Sequence, residues 1–168
     1  MRRTFRFGEY SCTASIVHRS ELYEALDRPF FSVADQNTAG LLPKGGPRHV
    51  IPAGEASKAW AELERILEGM IAADLTRAST VGGVGGGVVS DISSLAANLY
   101  MRGCRLVLVP TTLLAMVDAA LGGKTGVNFA GYKNMVGTFY PAAEVRICTE
   151  LLATLPGARD TELCLSGH

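Results

Sequence analysis

Residues 80–91 read TVGGVGGGVVSD, a short apolar run followed by a cluster of glycines and the start of a second apolar segment. The pattern predicts a strand over residues 80–84 and a helix over residues 90–101, with the glycine turn between them. Glycine permits positive φ and a close approach of ligand to backbone, and a helix N-terminus offers free N–H groups to a phosphate. The segment therefore predicts a strand–turn–helix unit suited to a nucleotide. The alternative is a tight turn after which Asp91 only favours the helix dipole.

Strands and helices alternate on both sides of this unit. Apolar runs predict strands over residues 30–34, 49–51, 105–109 and 144–148, and helical periodicity predicts helices over residues 21–26, 55–75 and 112–121, after a hairpin in residues 1–17. Such alternation implies a mostly parallel sheet with helices on both faces, a Rossmann-like α/β fold. A length of 168 residues without an internal repeat predicts one domain, residues 1–168.

Composition narrows the classes of partner. Sixteen basic residues balance sixteen acidic ones, and without a basic stripe we do not expect nucleic acid as a partner. No apolar run approaches the ~20 residues that a membrane span needs, and no apolar region follows the basic N-terminus, so a cytoplasmic protein is expected. The four cysteines form no CxxC pair and are expected to be reduced and buried, and the three histidines lack the spacing of metal ligands.

Two common phosphate-binding motifs do not fit the sequence. A GxGxxG fingerprint that starts in the glycine cluster meets Val88 or Ser90 where its third glycine should stand. The run ending in Lys124 resembles the end of a P-loop, but Asp118 occupies the position of the first glycine of that motif. The glycine cluster is therefore not assigned to either class.

A second informative stretch is residues 110–141, which read PTTLLAMVDAALGGKTGVNFAGYKNMVGTFYP. Asp118, Lys124, Lys133 and Asn134 stand with five glycines in an otherwise apolar run. That mixture predicts a buried polar site for a phosphorylated or polyhydroxylated ligand, because buried charges are costly unless they are paired or used. The alternative is a structural ion pair between Asp118 and Lys124.

The combination of motifs resembles the 3-dehydroquinate synthase family. The resemblance is carried by GGGVVSD, by YMRG at residues 100–103, by PTTLLAMVDAALGGKTGVN and by GYKNMVGTFYP, in an order that runs unbroken from Gly85 to about Pro156. Asp35, Asn37 and the segment PAGEASK at residues 52–58 resemble that family's nucleotide-contacting loops. The resemblance implies a Rossmann-like, NAD-binding N-terminal domain.

The resemblance also implies roles for individual residues. Residues expected to contact NAD are Asp35, Asn37, Glu55, Lys58, Gly86, Gly87, Val88, Asp91, Thr111, Thr112, Asp118, Lys133, Thr154 and Leu155. Asp118, Lys124 and Asn134 are expected to face the substrate, and Lys133 to reach the cofactor or the phosphate. Arg102 is expected to bind the phosphate, lent to the neighbouring subunit of a homodimer. Each has a structural alternative, such as a helix cap for Thr111 and Thr112.

The implied chemistry explains why such groups are needed. The family converts 3-deoxy-D-arabino-heptulosonate 7-phosphate, a seven-carbon sugar acid phosphate, to 3-dehydroquinate in the shikimate pathway. NAD takes a hydride from one carbinol, the resulting ketone acidifies a neighbouring C–H, and phosphate leaves by β-elimination before the hydride returns. A divalent metal, zinc or cobalt, polarises the oxidised oxygen.

The sequence departs from the family pattern in three places. Ser90 stands where a glycine is usual and Ala119 where a serine is common, both small changes. The chain ends with LSGH at residues 165–168, short of the glutamate of an SGxAE segment that supplies the first metal ligand. We therefore expect the helical metal-binding domain to be absent, no metal site in this chain, and little or no turnover by it alone.

Three alternatives remain at this stage. Another sugar-phosphate cyclase, such as 2-deoxy-scyllo-inosose synthase, shares the general pattern, although the TGVN and KNMVGTFYP runs favour 3-dehydroquinate synthase. Polyol and iron-dependent alcohol dehydrogenases usually carry a lysine where this chain has Ser94. A module that binds a nucleotide or a partner without catalysis is the alternative of a different class.

Overall fold

The computed structural model describes residues 1–24 and 30–154, and these residues form a seven-stranded sheet beside a two-stranded hairpin. The strands are β1 (Arg2–Phe7), β2 (Tyr10–Ile16), β3 (Phe30–Asp35), β4 (Arg48–Ile51), β5 (Thr80–Gly85), β6 (Arg105–Pro110), β7 (Val127–Phe129), β8 (Tyr132–Val136) and β9 (Glu144–Ile147). The large sheet has the order β1-β2-β9-β6-β5-β3-β4, and β7 pairs with β8. The α-helices are α1 (Trp60–Ala72) and α2 (Gly87–Leu99).

The sheet is parallel except for its N-terminal hairpin, as the sequence predicts. β1 and β2 pair antiparallel, and every other pairing of the large sheet is parallel. β5 lies between β3 and β6, so Gly83 sits beside Val33 and Leu108. A Cβ on Gly82 would lie 2.1 Å from the Phe30 ring. The glycines of β5 therefore let an aromatic ring lie directly over the strand.

Two apolar clusters cover the two faces of the sheet. Strand residues such as Phe31, Val33 and Leu108 join α1 and α2 in the larger cluster. Residues of opposite parity, such as Ala34 and Val109, form the smaller cluster. Within the described residues, this second face is covered by short 3₁₀ turns at Arg19–Glu21, Ala39–Leu41 and Thr149–Thr154. Cys12, Cys104 and Cys148 are buried free thiols, and Cys164 lies outside the described residues.

The strand predictions are confirmed to within a residue or two, whereas the helix bounds shift. The helix predicted over 55–75 begins at Trp60, because Glu55–Ser57 form a 3₁₀ turn and Lys58 then has non-helical ψ of 56°. The helix predicted over 90–101 is α2, which already begins at Gly87. The helix predicted over 112–121 is a π-helical turn, Ala115–Ala119. Of the helix predicted over 21–26, residues 25 and 26 lie outside the described residues, and Glu21 ends the 3₁₀ turn Arg19–Glu21.

The β7–β8 hairpin is a feature that the sequence reasoning missed. Phe129 pairs with Tyr132 across a two-residue turn in which Ala130 has φ of 51° and Gly131 has φ of 83°. Positive φ at both central positions is the geometry of a type I′ turn. Asparagine or glycine is usual at the first of these positions, so an alanine there hides the turn from a reader of the sequence.

Replacing Ala130 with asparagine is expected to stabilise the protein by about 0.5–1 kcal/mol, since asparagine tolerates the left-handed conformation better than alanine. Urea denaturation of the two proteins measures the difference. Because the side chain at position 130 is exposed, no packing contact is lost in the exchange. A decrease in the free energy of unfolding would contradict the assigned turn.

No helix in residues 1–24 and 30–154 is both long enough and apolar enough to cross a bilayer.

A candidate nucleotide and substrate site

The carboxyl ends of three neighbouring strands meet at one edge of the sheet. β3 ends at Asp35, β5 ends at Gly85 before the glycine turn, and β6 is followed by Thr111 and Thr112. Ligands of open parallel sheets bind at this edge. The order of β3, β5 and β6 in the sheet therefore places Asp35, the glycine turn and the two threonines after β6 at the same edge.

The glycine turn opens the N-terminus of α2. Gly86 occupies the N-cap with no side chain to accept the N–H groups of the first turn. A Cβ at Gly86 would lie 3.2 Å from Thr112 Cγ2, so the backbone is close to the chain that follows β6. A Cβ at Gly87 would meet only Ala119 Cβ, at 4.0 Å. Free N–H groups and open space thus coincide at this helix end, which suits an anion.

The loop after β3 is shaped by Asp35. Its Oδ1 accepts the backbone N–H groups of Asn37 and Thr38, both at 2.9 Å. The Thr38 hydroxyl lies 2.8 Å from the Val84 carbonyl oxygen, which ties this loop to the end of β5. One carboxylate oxygen of Asp35 therefore holds the loop. The side chain of Asn37 is exposed to solvent.

A cavity of about 510 Å³ lies next to the N-terminal half of α2. Four of the predicted site residues line it, namely Asp91, Asp118, Lys124 and Asn134. The other lining residues are Ala119, Gly122, Thr125, Met135, Gly137, Thr138 and Phe139. The sequence prediction of a common polar site is consistent with this geometry. However, Asp118, Lys124 and Asn134 are exposed on an open wall rather than buried.

Lys58 is the buried cation of this site. It is 5% exposed, and its ammonium donates hydrogen bonds to Asp91 Oδ2 and to Asn134 Oδ1. The lysine comes from the turn before α1, the carboxylate from α2 and the amide from β8. One positive charge thus connects three segments that are far apart in sequence.

Burial raises the pKa of the Asp91 carboxyl above its ordinary value. The hydrogen bond and charge of Lys58 act in the opposite direction, while the nearby carboxylates of Glu55 and Asp118 add to the increase. Asp91 is therefore a partly desolvated acid whose ionised form depends on Lys58. By contrast, no ion pair joins Asp118 and Lys124 among the residues described, so that structural alternative is not seen.

Several predicted residues lie apart from the cavity. Lys133 is exposed on β8 and Arg102 is exposed in a turn with φ of 66°. Thr111 is buried, and its backbone N–H donates a hydrogen bond to the Gly85 carbonyl. The Thr112 hydroxyl accepts a hydrogen bond from the Ala115 backbone N–H at 3.3 Å. Thr112 therefore does cap the turn that follows. Thr154 is the last described residue, and Leu155 lies outside the described residues.

The sequence reasoning missed the two threonines that close the cavity wall. The Thr125 N–H donates to the Thr138 carbonyl at 2.9 Å, and the Thr138 N–H donates to Thr125 Oγ1 at 3.0 Å. Asn98 adds a bond from Nδ2 to Thr138 Oγ1 at 2.6 Å. Both threonines lie outside β7 and β8, so no strand periodicity marks them in the sequence.

A metal ion has no evident ligand set in the described part of the chain. No group of three or more His, Cys, Asp or Glu side chains in residues 1–24 and 30–154 is arranged to hold one. Asp91 and Asp118 line the same cavity, but histidine and cysteine do not occur among its lining residues. The donor set present does not fit a zinc or cobalt centre.

Comparison with protein families gives one decisive match. The family model described as 3-dehydroquinate synthase N-terminal matches residues 48–162. This chain belongs to that family. Residues 48–162 contain the glycine turn, Lys58 and every residue that lines the cavity. The family match therefore includes the glycine turn and the cavity, whereas Asp35 and Asn37 precede the matched residues.

Curated relatives agree with the family match. The 3-dehydroquinate synthase of Chlamydia caviae is 41% identical over 150 residues, covering 82% of this chain and 40% of that protein. The 3-dehydroquinate synthase of Pyrococcus abyssi is 53% identical over 107 residues, covering 64% of this chain and 32% of that protein. The chain thus spans about 30–40% of the length of these relatives.

Solved structures with the same architecture include sugar-phosphate cyclases. A 2-deoxy-scyllo-inosose synthase complexed with carbaglucose-6-phosphate, NAD⁺ and Co²⁺ aligns with TM-score 0.80 and 26% identity, over 93% of this chain and 48% of that one. The 2-epi-5-epi-valiolone synthase of Streptomyces hygroscopicus, with NAD⁺ and Zn²⁺, aligns with TM-score 0.76 and 33% identity, over 91% and 47%. A probable glycerol dehydrogenase from Sinorhizobium meliloti, 19% identical, shares the fold.

Proposed function

We propose that this chain is the NAD-binding N-terminal domain, residues 1–168, of a 3-dehydroquinate synthase. The whole enzyme would convert 3-deoxy-D-arabino-heptulosonate 7-phosphate to 3-dehydroquinate and phosphate. The observation that carries the proposal is the meeting of an open helix N-terminus with a cavity that holds Asp118, Lys124 and Asn134. The family match and the curated relatives support it.

The residues at the sheet edge fit NAD. The open space before Gly87 admits a pyrophosphate to the N–H groups of α2, where the helix dipole favours negative charge. Asp35 and Asn37, at the end of β3 and in the loop after it, would contact the adenosine part of NAD, and Glu55 would contact it from the 3₁₀ turn before α1. When bound, NAD supplies reversible hydride transfer to a substrate carbinol.

The cavity wall fits a sugar acid phosphate. The Lys124 ammonium lines the cavity and makes no ion pair among the described residues, so it remains available to an anionic group. Asp118 accepts hydrogen bonds and Asn134 both accepts and donates them, which suits hydroxyl groups. The cavity volume of about 510 Å³ is in the range of small-molecule sites.

Further parts of the enzyme would come from outside this site. The divalent metal, zinc or cobalt, would be held by residues other than those described, because no ligand set is found among them. A homodimer in which Arg102 reaches the partner's phosphate, with Lys133 near the cofactor or phosphate, is proposed from the family resemblance. We also propose a cytoplasmic location.

The alternative function with specific support is that of another sugar-phosphate cyclase, 2-deoxy-scyllo-inosose synthase. The structural alignment with 2-deoxy-scyllo-inosose synthase, at TM-score 0.80, supports this alternative, although the sequence identity of that alignment is 26%. The curated 3-dehydroquinate synthases reach 41–53% identity, which favours the proposed substrate. A fusion of residues 1–154 to the remaining part of the Chlamydia caviae relative, given the heptulosonate phosphate, NAD and zinc or cobalt, is expected to release phosphate. Release from this chain alone, or none from the folded fusion, would contradict the proposal.

Replacing Gly87 with alanine is expected to lower the affinity for NAD by about tenfold or more, while leaving the stability unchanged or slightly higher. The added Cβ finds no protein atom closer than Ala119 Cβ at 4.0 Å, so it occupies only the space in front of the helix end. Titration calorimetry with NAD and urea denaturation of the same protein separate the two effects. Equal NAD affinity in both proteins would refute the placement of the pyrophosphate.

A further inference from the structure

Asn128 in β7 makes hydrogen bonds to two other segments of the cavity wall. Its backbone N–H donates to the Lys58 carbonyl at 2.7 Å. Its side-chain Oδ1 accepts the Asn134 backbone N–H at 2.9 Å, and its Nδ2 donates to Glu55 Oε1 at 2.9 Å. One amide side chain therefore joins β8 to the turn that precedes α1.

The conformation of Asn134 shows why such support matters. Asn134 has φ of 53°, in the left-handed region that few non-glycine residues occupy, and the hydrogen bond from its backbone N–H to Asn128 Oδ1 holds it in that conformation. In this conformation its Oδ1 accepts a hydrogen bond from the Lys58 ammonium. The position of that ammonium, and with it the pairing to Asp91, depends on the backbone that Asn128 holds.

We infer that Asn128 is a positioning residue, which fixes Asn134 and Lys58 relative to each other and so sets the polar wall of the cavity. The inference rests on the proposed function for its consequence in ligand binding. It is specific to an amide, because one bond requires an acceptor and the other a donor. Aspartate would keep the acceptor but place a second carboxylate beside Glu55, and leucine would supply neither group.

Trp60 provides a reporter for the hairpin in the absence of ligand. It is the single tryptophan of the chain, and its ring packs edge-on against Phe129 with centroids 6.3 Å apart. Phe129 follows Asn128 directly, and Ala59 forms a parallel bridge with Asn128. Movement of β7 away from the turn therefore changes the access of solvent to Trp60.

The ligand-free experiment compares Asn128→Leu and Asn128→Asp with the unmodified chain. Asn128→Leu is expected to speed hydrogen exchange at the Asn134 amide by about tenfold, as the loss of one hydrogen bond implies, whereas Asn128→Asp keeps that protection. Acrylamide quenching of Trp60 is expected to rise in Asn128→Asp and to return towards normal when Glu55→Gln is added. Unchanged exchange in Asn128→Leu and unchanged quenching in Asn128→Asp would overturn the inference.

Titration with NAD forms a double-mutant cycle of Asn128→Asp with Glu55→Gln. Asn128→Asp is expected to weaken binding by about tenfold in the unmodified background and by little in the Glu55→Gln background, where an amide again faces the carboxylate. Equal weakening in both backgrounds would overturn the role assigned to the Glu55 contact. If the unmodified chain does not bind NAD, the proposed function fails, and the ligand-free measurements alone decide whether Asn128 positions the wall.

Discussion

A chain in which methionine replaces Lys58 is expected to lose about 3 kcal/mol of its free energy of unfolding. Methionine retains the apolar stem, which is buried, but removes the ammonium that serves both Asp91 and Asn134. Loss of one partner leaves the carboxylate partly desolvated without compensation. The Asp91 side chain is 21% exposed, which places the loss near the lower end of values for buried pairs.

The pH dependence of the Lys58→Met variant distinguishes loss of charge from loss of packing. Burial already raises the pKa of Asp91 above its ordinary value of 3.8, and removing Lys58 removes the main opposing influence. Between the unfolded and the folded pKa, the folded state holds a proton that the unfolded state has released. Because removal of Lys58 raises the folded-state pKa of Asp91 further, the stability of the variant relative to the unmodified chain falls as pH rises between the two folded-state pKa values, and is constant above them. Urea denaturation at pH 4.5 and pH 8 measures the difference.

Two control variants accompany this measurement. In an Asp91→Asn background, Lys58→Met should cost much less, because no carboxylate is left unpaired. Arg65→Met removes an ion pair with Glu62 of 2.8 Å whose arginine is 62% exposed, so its cost should stay below about 1 kcal/mol. A pH-independent cost for Lys58→Met that is the same in both backgrounds would mean that the ion pair is not its cause.

The strands and the glycine turn could be predicted because their signals are local. The run TVGGVG follows Ser79 and leads directly into further glycines, which mark the β5–α2 junction and which the close packing requires. The shared location of Asp118, Lys124 and Asn134 could also be predicted, since all three belong to one short stretch matched by the family resemblance. In each case, neighbouring residues in sequence hold the necessary information.

The role of Lys58 could be predicted only in part, because its partners lie far along the chain. The resemblance placed it near the cofactor, but its pairing with Asp91 and Asn134 spans 33 and 76 residues. The hairpin that brings Asn134 there turns at Ala130, where local propensity favours another conformation. Tertiary contacts also override the helical period after Pro110, where a π-helical turn forms. The missed features are those held by distant contacts.

Gly137→Ala is expected to lower the free energy of unfolding by about 3 kcal/mol and to disturb the cavity wall. A Cβ at this position would lie 2.0 Å from the Thr125 carbonyl oxygen and 2.9 Å from the Gly126 Cα. Both are backbone atoms, so no side-chain rotation relieves the overlap. The segments around Thr125 and Gly137 must move apart, which breaks the hydrogen bonds between Thr125 and Thr138 that close the wall.

Gly40→Ala is the matched control for Gly137→Ala, because a Cβ at Gly40 meets no atom within 4 Å. Its free energy of unfolding should stay within about 0.5 kcal/mol of the unmodified chain. Amide spectra should show shifts at Thr125 and Thr138 only in Gly137→Ala, together with weaker binding of a sugar acid phosphate. Since Gly137 makes no side-chain contact of its own, a stability equal to that of Gly40→Ala would mean that the wall is not packed as described. A loss of stability with unchanged ligand binding would instead separate the threonine pair from the binding site.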